Sequence, residues 1–311
     1  SKDRTLEIAK EYEAKYPTIV RAVDKENGGH GSGVNKGIEL ATGQYFKVVD
    51  SDDWVDEEAL KTLLATIKAN NEKGTSPDLY ITNFIYDHVA DGTQKVSDFK
   101  KFIPSDKIIS WKNTKKLTSW HLLLMHAVCF KTEVVRKSGV KLPEHTFYVD
   151  NLYVYQPLYY VKTMWFVPVP LYQYYCGHAD QSISYANMAK NFMHEMRVYE
   201  QVVNVFTYDD FLKLDKPHRK NMMFALVVNS ALALFHSAIA KKNGSKKAYK
   251  KIMKDFKKNN RELYKQLNWH TEFWWTNLII PGLKDVFIKI GYNPAIGSSN
   301  KWTYEGRIYA K

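Results

Sequence analysis

Residues 45–60, YFKVVDSDDWVDEEAL, constrain the fold more than any other stretch. A largely apolar run, YFKVV, abuts Asp50-Ser51-Asp52-Asp53, four polar residues of which three are carboxylates. Runs of that length read as buried strands. The residues that follow, EEALKTLLATIKANN, repeat apolar side chains at helical spacing. Strand, turn and helix in immediate succession call for a sheet with helices packed on it. Like charges this close repel, and more strongly as water is excluded, so the acidic turn needs compensation. The segment from Asp53 to Glu58 reads as the acidic start of the helix, with Asp53 as a capping candidate. Asp50 and Asp52 flank one serine at the strand's C-terminal edge, where open α/β sheets bind ligands. Two readings fit them: a capping loop, or a site for a hard divalent cation with a phosphate supplying further oxygens.

The alternation continues on both sides. SKDRTLEIAKEYEAKYP reads as a helix stopped by Pro17, TIVRAV as a short strand, and PDLYITNFIYDHVADGTQKV as two strands joined through Asp91-Gly92. Residues 1–100 therefore predict a largely parallel sheet with covering helices. From about 100 to 185 the chain is aromatic and less regular. HAVCFKTEVVRKSGV predicts a strand and a helix, YVDNLYVYQPLYYV a short helix, and TMWFVPVPLYQYYC two short strands split by prolines. From Asn187 onward helical patterns with Lys-rich faces dominate.

Ahead of the acidic turn lies Asn27-Gly28-Gly29-His30-Gly31-Ser32-Gly33-Val34-Asn35-Lys36-Gly37. It fits neither a dinucleotide GxGxxG register nor a P-loop, since no GK[ST] is present. It does precede a helix, whose free N–H groups favour an anion, and glycine lets backbone approach a ligand closely. A plain flexible turn is the other reading.

ENGGHGSGVNKGIELATGQYF followed by VVDSDDW resembles the core of the family 2 glycosyltransferases of the GT-A fold. SKDRTLEIAKEY is similar to that family's D-G-S-x-D-x-T segment. FYVDNLYVYQPLYYVKTMWFVPVPLYQYY is similar to the later segment in which an acidic dipeptide opens a helix, and DQSIS to the element after it. The resemblance implies an α/β, Rossmann-like GT-A fold with a mostly parallel sheet and a C-terminal helical region. The family opens with a strand, a helix and a second strand ahead of the D-G-S segment, so an N-terminally incomplete version is expected here. The implied organisation is a partial nucleotide-sugar half at 1–100, an acceptor-side half at 101–186 and a basic helical region at 187–311. Two departures stand out: Val34-Asn35 replaces the family's Arg-Asn, and the acidic dipeptide is Val149-Asp150, with one carboxylate.

The resemblance implies a metal-dependent, inverting transferase that moves a sugar from a nucleotide-sugar donor to a glycan or lipid-linked acceptor, in bacterial surface polysaccharide synthesis. Asp50 and Asp52 stand for the DxD pair, with Asp52 on Mg²⁺ or Mn²⁺ and Asp50 nearer the ribose or bound through water. Asn27, Gly28, Gly29 and Lys36 are implied to line the nucleotide and diphosphate. Asp150 stands at the catalytic base, which takes the acceptor's proton; a helix N-cap is its alternative role. His178, in CGHADQSIS, is implied as a third metal ligand or diphosphate contact, although a structural role also suits a lone histidine; His126, in LMHAVCF, is a lesser candidate. Trp54, Trp111, Trp120, Tyr148, Tyr153 and Tyr155 divide between an acceptor cleft and the core.

Charge is unevenly placed. Residues 211–311 hold 20 Lys and Arg against 6 Asp and Glu, whereas the first 210 hold 25 against 27. Basic surfaces attract nucleic acid, anionic lipid or phosphorylated substrates. No zinc, homeodomain or RNP signature is present, which argues against nucleic acid. NMMFALVVNSALALFHSAIA has the length of a membrane span, but Asn229, Ser230 and His236 interrupt it, so a buried helix is expected. Trp274 and Trp275 beside an apolar run suggest peripheral attachment to an anionic membrane surface, or an oligomer interface. Two cysteines, Cys129 and Cys176, give no disulfide framework, and the charged first residues read as no secretory leader. Together these predict a cytoplasmic protein peripheral on the inner face of the cell membrane. A non-catalytic sugar- or lipid-binding protein of the same fold is the competing class.

Overall fold

The computed structural model describes residues 3–269, apart from 89–91, 116, 118–121, 177–181, 183 and 241–243, together with residues 301–304 and 307–310. The order begins α1 (Thr5–Lys15), α2 (His30–Leu40), β1 (Tyr45–Phe46), β2 (Trp54–Val55), α3 (Glu57–Glu72), β3 (Leu79–His88) and β4 (Thr93–Ser97). β5 (Ile108–Ile109), β6 (Val128–Lys131), α4 (Thr132–Ser138), α5 (Asp150–Leu158) and β7 (Met164–Cys176) complete the α/β part. Six helices follow: α6 (Tyr185–Lys190), α7 (Phe192–Asn204), α8 (Tyr208–Lys213), α9 (Lys216–Ile239), α10 (Ser245–Asn259) and α11 (Arg261–Trp269). The expected α/β class with a helical C-terminal region is what the chain adopts. The described part closes with two strands, β8 (Lys301–Tyr304) and β9 (Arg307–Ala310), inside the region expected to be helical.

β3 organises the sheet. Its ten residues are buried for the first seven, as a strand covered on both faces must be. Alternate side chains serve opposite faces. Leu79 and Ile81 join the large core with α2, α4, α5 and the later helices, while Tyr80 joins Ala59 and Leu63 of α3 with Val167, Val169 and Leu171 of β7. Along one edge β3 pairs with β7 in parallel; along the other it pairs antiparallel with β6 and then β4. The sheet is thus mixed rather than mostly parallel: among the eight described strand–strand pairings two, β3–β7 and β4–β9, are parallel. Parallel neighbours need a crossover connection, and the chain leaves β3 through the β3–β4 hairpin instead, turning at Gly92 with φ 66°.

Three local expectations are corrected. TIVRAV makes no strand; Ile19 and Val23 are exposed, and no described strand pairs with them. Pro168 and Pro170 do not split β7. The register slips there, from Thr82 opposite Val167 to Asn83 opposite Pro170, so residues lacking an N–H sit at an irregularity that demands none. The Gly-rich run is mostly helix, because α2 already begins at His30.

α9 is long and apolar enough to cross a membrane, yet here it packs against α5, α6, α7, α10 and α11. Asn229 and Ser230 are satisfied within the bundle, whereas His236 Nδ1 is buried without a hydrogen-bond partner among the described residues. Asn229 donates to the Ala225 carbonyl at 2.8 Å, Ser230 to the Leu226 carbonyl at 2.8 Å, and the Tyr199 hydroxyl donates to Ser230 Oγ at 2.8 Å. Cys129 and Cys176 are both buried, and no disulfide joins them.

Candidate active site

The site begins where α2 begins. Gly29 caps the helix with φ 76°, a backbone state that suits glycine. Asn27 Oδ1 accepts from the Gly29 N–H at 2.9 Å, which folds the tip into a turn. Gly31 lies so close to residues 142–143 that a Cβ there would stand 2.9 Å from the Pro143 carbonyl oxygen. The two segments are laced together: His145 N–H donates to the Gly28 carbonyl at 2.6 Å, and Asn35 exchanges hydrogen bonds with the Leu142 backbone at 2.8 and 2.9 Å.

The first helical residue, His30, reaches the acidic turn. Its Nε2 lies 2.9 Å from Asp50 Oδ1. That hydrogen bond raises the imidazole pKa against the opposing effect of burial, and the charges of Asp50, Asp150 and Asp52 add to it. One histidine therefore stands among the three aspartates that the sequence had singled out from separate segments, and it supplies part of the compensation that the acidic turn requires. No sequence signal marked His30 apart from the glycines around it.

The acidic turn is tied to β7. Asp53 Oδ2 accepts from the Tyr172 hydroxyl at 2.6 Å, and Oδ1 from the Tyr175 N–H at 2.8 Å. The Asp50 N–H donates to the same Tyr172 oxygen at 3.1 Å. Asp53 is consequently not the helix cap; Asp56 is, accepting from Ala59 N–H at 3.0 Å. Burial pushes the Asp53 carboxyl up to about 6, with the charges of Asp52 and Asp50 adding and the two hydrogen bonds opposing.

Beside this turn lies His126, in a 3-10 turn before β6. It is 6% exposed, and its ring stacks on Tyr174 with centroids 4.3 Å apart. Burial, reinforced by Lys47, drives its pKa down to about 3, so the ring is neutral at physiological pH. Its Nδ1 is buried without a hydrogen-bond partner among the described residues. Ligand atoms of Asp50, Asp53 and His126 lie within 4.8 Å of one another. Two carboxylates and an orphaned neutral imidazole make a donor set that fits a divalent cation such as Mn²⁺ or Mg²⁺. Lys47 supports the cluster from below: its Nζ donates to the His126 carbonyl at 2.7 Å and lies 5.1 Å from the centre of the Tyr172 ring.

Asp150 is the first residue of α5 and is half-buried. Val149, not Asp150, occupies the cap position, and it makes no side-chain capping bond. Burial raises the Asp150 pKa, His30 lowers it and Asp50 raises it again. Behind it lies Glu195 of α7, 1% exposed, with Oε1 lacking any described partner. Burial first, and the charge of Asp150 second, push that carboxyl up to about 8.

The remaining candidates are dispersed. Asp52 is exposed on the acidic turn, outside the three-residue donor group, with its charge reaching His30 and Asp53. Lys36 pairs with Glu39 at 2.7 Å, one turn along α2. His178 and Trp120 lie outside the described residues, as do Trp274 and Trp275. Trp111, Tyr153 and Tyr155 are core residues, whereas Trp54 is exposed and packs against Tyr175 with ring centres 5.9 Å apart.

Known proteins share both the sequence pattern and the architecture. The family model described as glycosyl transferase family 2 matches residues 1–130. EpsH of Bacillus subtilis (strain 168), which carries the name of a glycosyltransferase, is 26% identical over 257 residues, 81% of this chain and 70% of that protein. The crystal structure of S. aureus TarS 1–349 superposes over 100% of this chain and 84% of its own, with a TM-score of 0.57 at 16% identity. Over residues 1–130 the chain carries the pattern of glycosyltransferase family 2. The superposition gives the fold, which is GT-A. A third relative of the family, the poly(ribitol-phosphate) beta-glucosyltransferase of Bacillus spizizenii, is 30% identical over 148 residues. That match takes in 47% of this chain and 21% of the relative, so the chain spans about a fifth of the length of that protein.

Proposed function

We propose that this chain is a family 2 glycosyltransferase, metal-dependent and inverting, that transfers a sugar from a nucleotide-sugar to a hydroxyl of a surface polysaccharide or polyol-phosphate polymer. The observation that supports the reading is the convergence on His30, whose imidazole bonds Asp50 of the acidic turn and also feels the charge of Asp150. Names of relatives support the acceptor class, since two of them act on poly(ribitol-phosphate).

In this reading Asp50, Asp53 and His126 hold the cation, with exposed Asp52 within reach of the same turn. Bound there, Mg²⁺ or Mn²⁺ offsets the charge that grows on the departing diphosphate. The start of α2 contributes backbone N–H groups, and His30 contributes a proton-bearing imidazole facing the same anion. Asp150 accepts the proton of the acceptor hydroxyl as that oxygen attacks the anomeric carbon. The bond to the diphosphate breaks on the opposite face, which inverts the centre. A raised pKa suits a base that must hold a proton at near-neutral pH.

The test is transfer and donor hydrolysis with UDP-glucose and UDP-N-acetylglucosamine, with and without Mn²⁺. Asp150→Asn is expected to keep donor binding and to lower turnover about 10²-fold or more, the usual scale for a general base. A large loss of donor affinity at normal turnover makes Asp150 a binding residue instead.

A further inference from the structure

The loop that delivers Asp150 is strained. His145 and Tyr148 adopt φ of 50° and 65°, the left-handed region that non-glycine residues rarely occupy. Such residues persist only where surrounding contacts over-determine them, and they cluster at working sites. Here the contacts come from two directions. On the α2 side, Gly28 holds His145, and Asn35 holds Leu142.

The other side is the helical region. His194 Nδ1 accepts from the Phe147 N–H at 3.1 Å, while its ring stacks on the Phe147 ring at 5.2 Å between centroids. One turn on, Arg197 Nη1 donates to the buried Thr146 Oγ1 at 2.6 Å. The Tyr148 hydroxyl donates to the Ser182 carbonyl at 2.9 Å, and its ring meets His236 of α9 edge-on at 4.7 Å. Between His194 and Arg197 on the same helix, Glu195 turns inward to the buried ground behind Asp150. Thr146 and Phe147, the residues gripped by α7, lie between the two left-handed residues, four and three positions before Asp150.

We propose that His194 and Arg197 are positioning residues for Asp150: together they clamp the 144–149 loop onto α7 and make the helical region a working part of the catalytic site. The proposal rests on the reading of Asp150 as the base. The His194 bond needs an unprotonated Nδ1, and burial together with Arg197 lowers the imidazole pKa, which keeps the acceptor available. Only this side chain bonds the Phe147 amide among the described hydrogen bonds, so removing it frees the amide without emptying any core position.

The experiment uses the full chain with His194→Ala, His194→Asn, Arg197→Ala and, in parallel, Asp150→Asn. Asparagine carries Oδ1 at the branch position that Nδ1 occupies in histidine, so it restores the acceptor without the ring. Hydrogen exchange of the 144–151 amides needs no substrate. His194→Ala should raise exchange at Phe147 about tenfold or more while the interior of α5 stays protected, and His194→Asn should recover most of that protection. With the donor that the wild type turns over, His194→Ala and Arg197→Ala should lower kcat about tenfold or more at unchanged donor KM, the scale of a misplaced reacting group. Unchanged exchange in both alanine variants overturns the clamp whatever the donor. Lost protection with wild-type kcat overturns its role in positioning. Full turnover in Asp150→Asn removes the base assignment instead, and leaves the clamp with nothing to position.

Discussion

Glu195 is a carboxyl kept where a carboxylate is costly, which gives it a measurable signature. Folded, it holds its proton up to about pH 8; its ordinary value is 4.5. Between those two values the folded chain carries a proton that the unfolded chain has released. Stability must therefore fall as pH rises through that window, by up to ~1.4 kcal/mol per pH unit, and level off above it. Glutamine carries no such proton. Glu195→Gln should thus gain stability relative to wild type between pH 5 and pH 8, and urea unfolding at several pH values reads this directly. Parallel stability curves would sink the idea that the buried carboxyl is neutral. His126 has its own signature: if its orphaned Nδ1 completes the cation site, His126→Ala should weaken Mn²⁺ binding by roughly 10- to 100-fold, the scale seen when a supporting group at a metal site is lost. Isothermal titration of Mn²⁺ without donor checks it, and equal affinity in variant and wild type removes His126 from the donor set. These residues were barely legible beforehand. Asp50 and Asp52 stood out as carboxylates crowded behind an apolar run, and Asp150 only through the resemblance of its segment to the family's acidic dipeptide. Glu195 sits in FMHEMRVYE, where a glutamate reads as an ordinary helix face. Its burial depends on α5 and α9 packing over α7, which periodicity on one helix does not encode.

At the scale of elements, the join between α2 and the 142–145 loop is a close backbone fit. A Cβ on Gly31 would stand 2.9 Å from the Pro143 carbonyl oxygen and 3.0 Å from Leu142 Cβ. Backbone cannot swing aside as a flexible side chain can. Gly31→Ala should therefore cost about 1–3 kcal/mol, typical of overpacking, and should displace the loop that carries Asp150. Gly33→Ala is the control, since nothing lies within 4 Å of a Cβ there. Thermal melts of the pair should separate them; equal melting temperatures mean that the loop has room to retreat. Helices with one apolar face were readable from sequence, and so were β3, β4 and β6, whose runs are bounded by turn residues. The continuous β7 was not, because its prolines looked like breaks until β3 was seen to slip register beside them. TIVRAV failed for the converse reason: a β-prone run becomes a strand only when a neighbour offers it a ladder.

At the scale of the whole molecule, charge and packing separate cleanly on α10. Tyr249, Ile252 and Phe256 are buried against α7, α9 and α11, while Lys246, Lys247, Lys250, Lys251, Lys254, Lys257 and Lys258 stay exposed. Only Lys251 among them has a carboxylate partner in the described ion pairs, Asp255 at 2.9 Å. The helix is thus a packed element and a basic surface at once, so the expected membrane attachment does not require it to leave the bundle. An anionic surface attracts such lysines at about 1 kcal/mol each within a Debye length. Reversing Lys247, Lys250, Lys254 and Lys258 to Glu touches no buried side chain and should leave the fold intact. It should lower partition onto vesicles containing phosphatidylserine by on the order of a hundredfold or more, if the attraction is this direct. Wild type should sediment with those vesicles at low salt, release as salt rises past about 0.15 M, and stay in the supernatant with neutral vesicles. Retention of the reversed variant on anionic vesicles moves the attachment to residues 271–292, beyond the described helices. Absence of wild-type binding at low salt leaves the lysines as a solvated face, and the peripheral location of the enzyme is then without support.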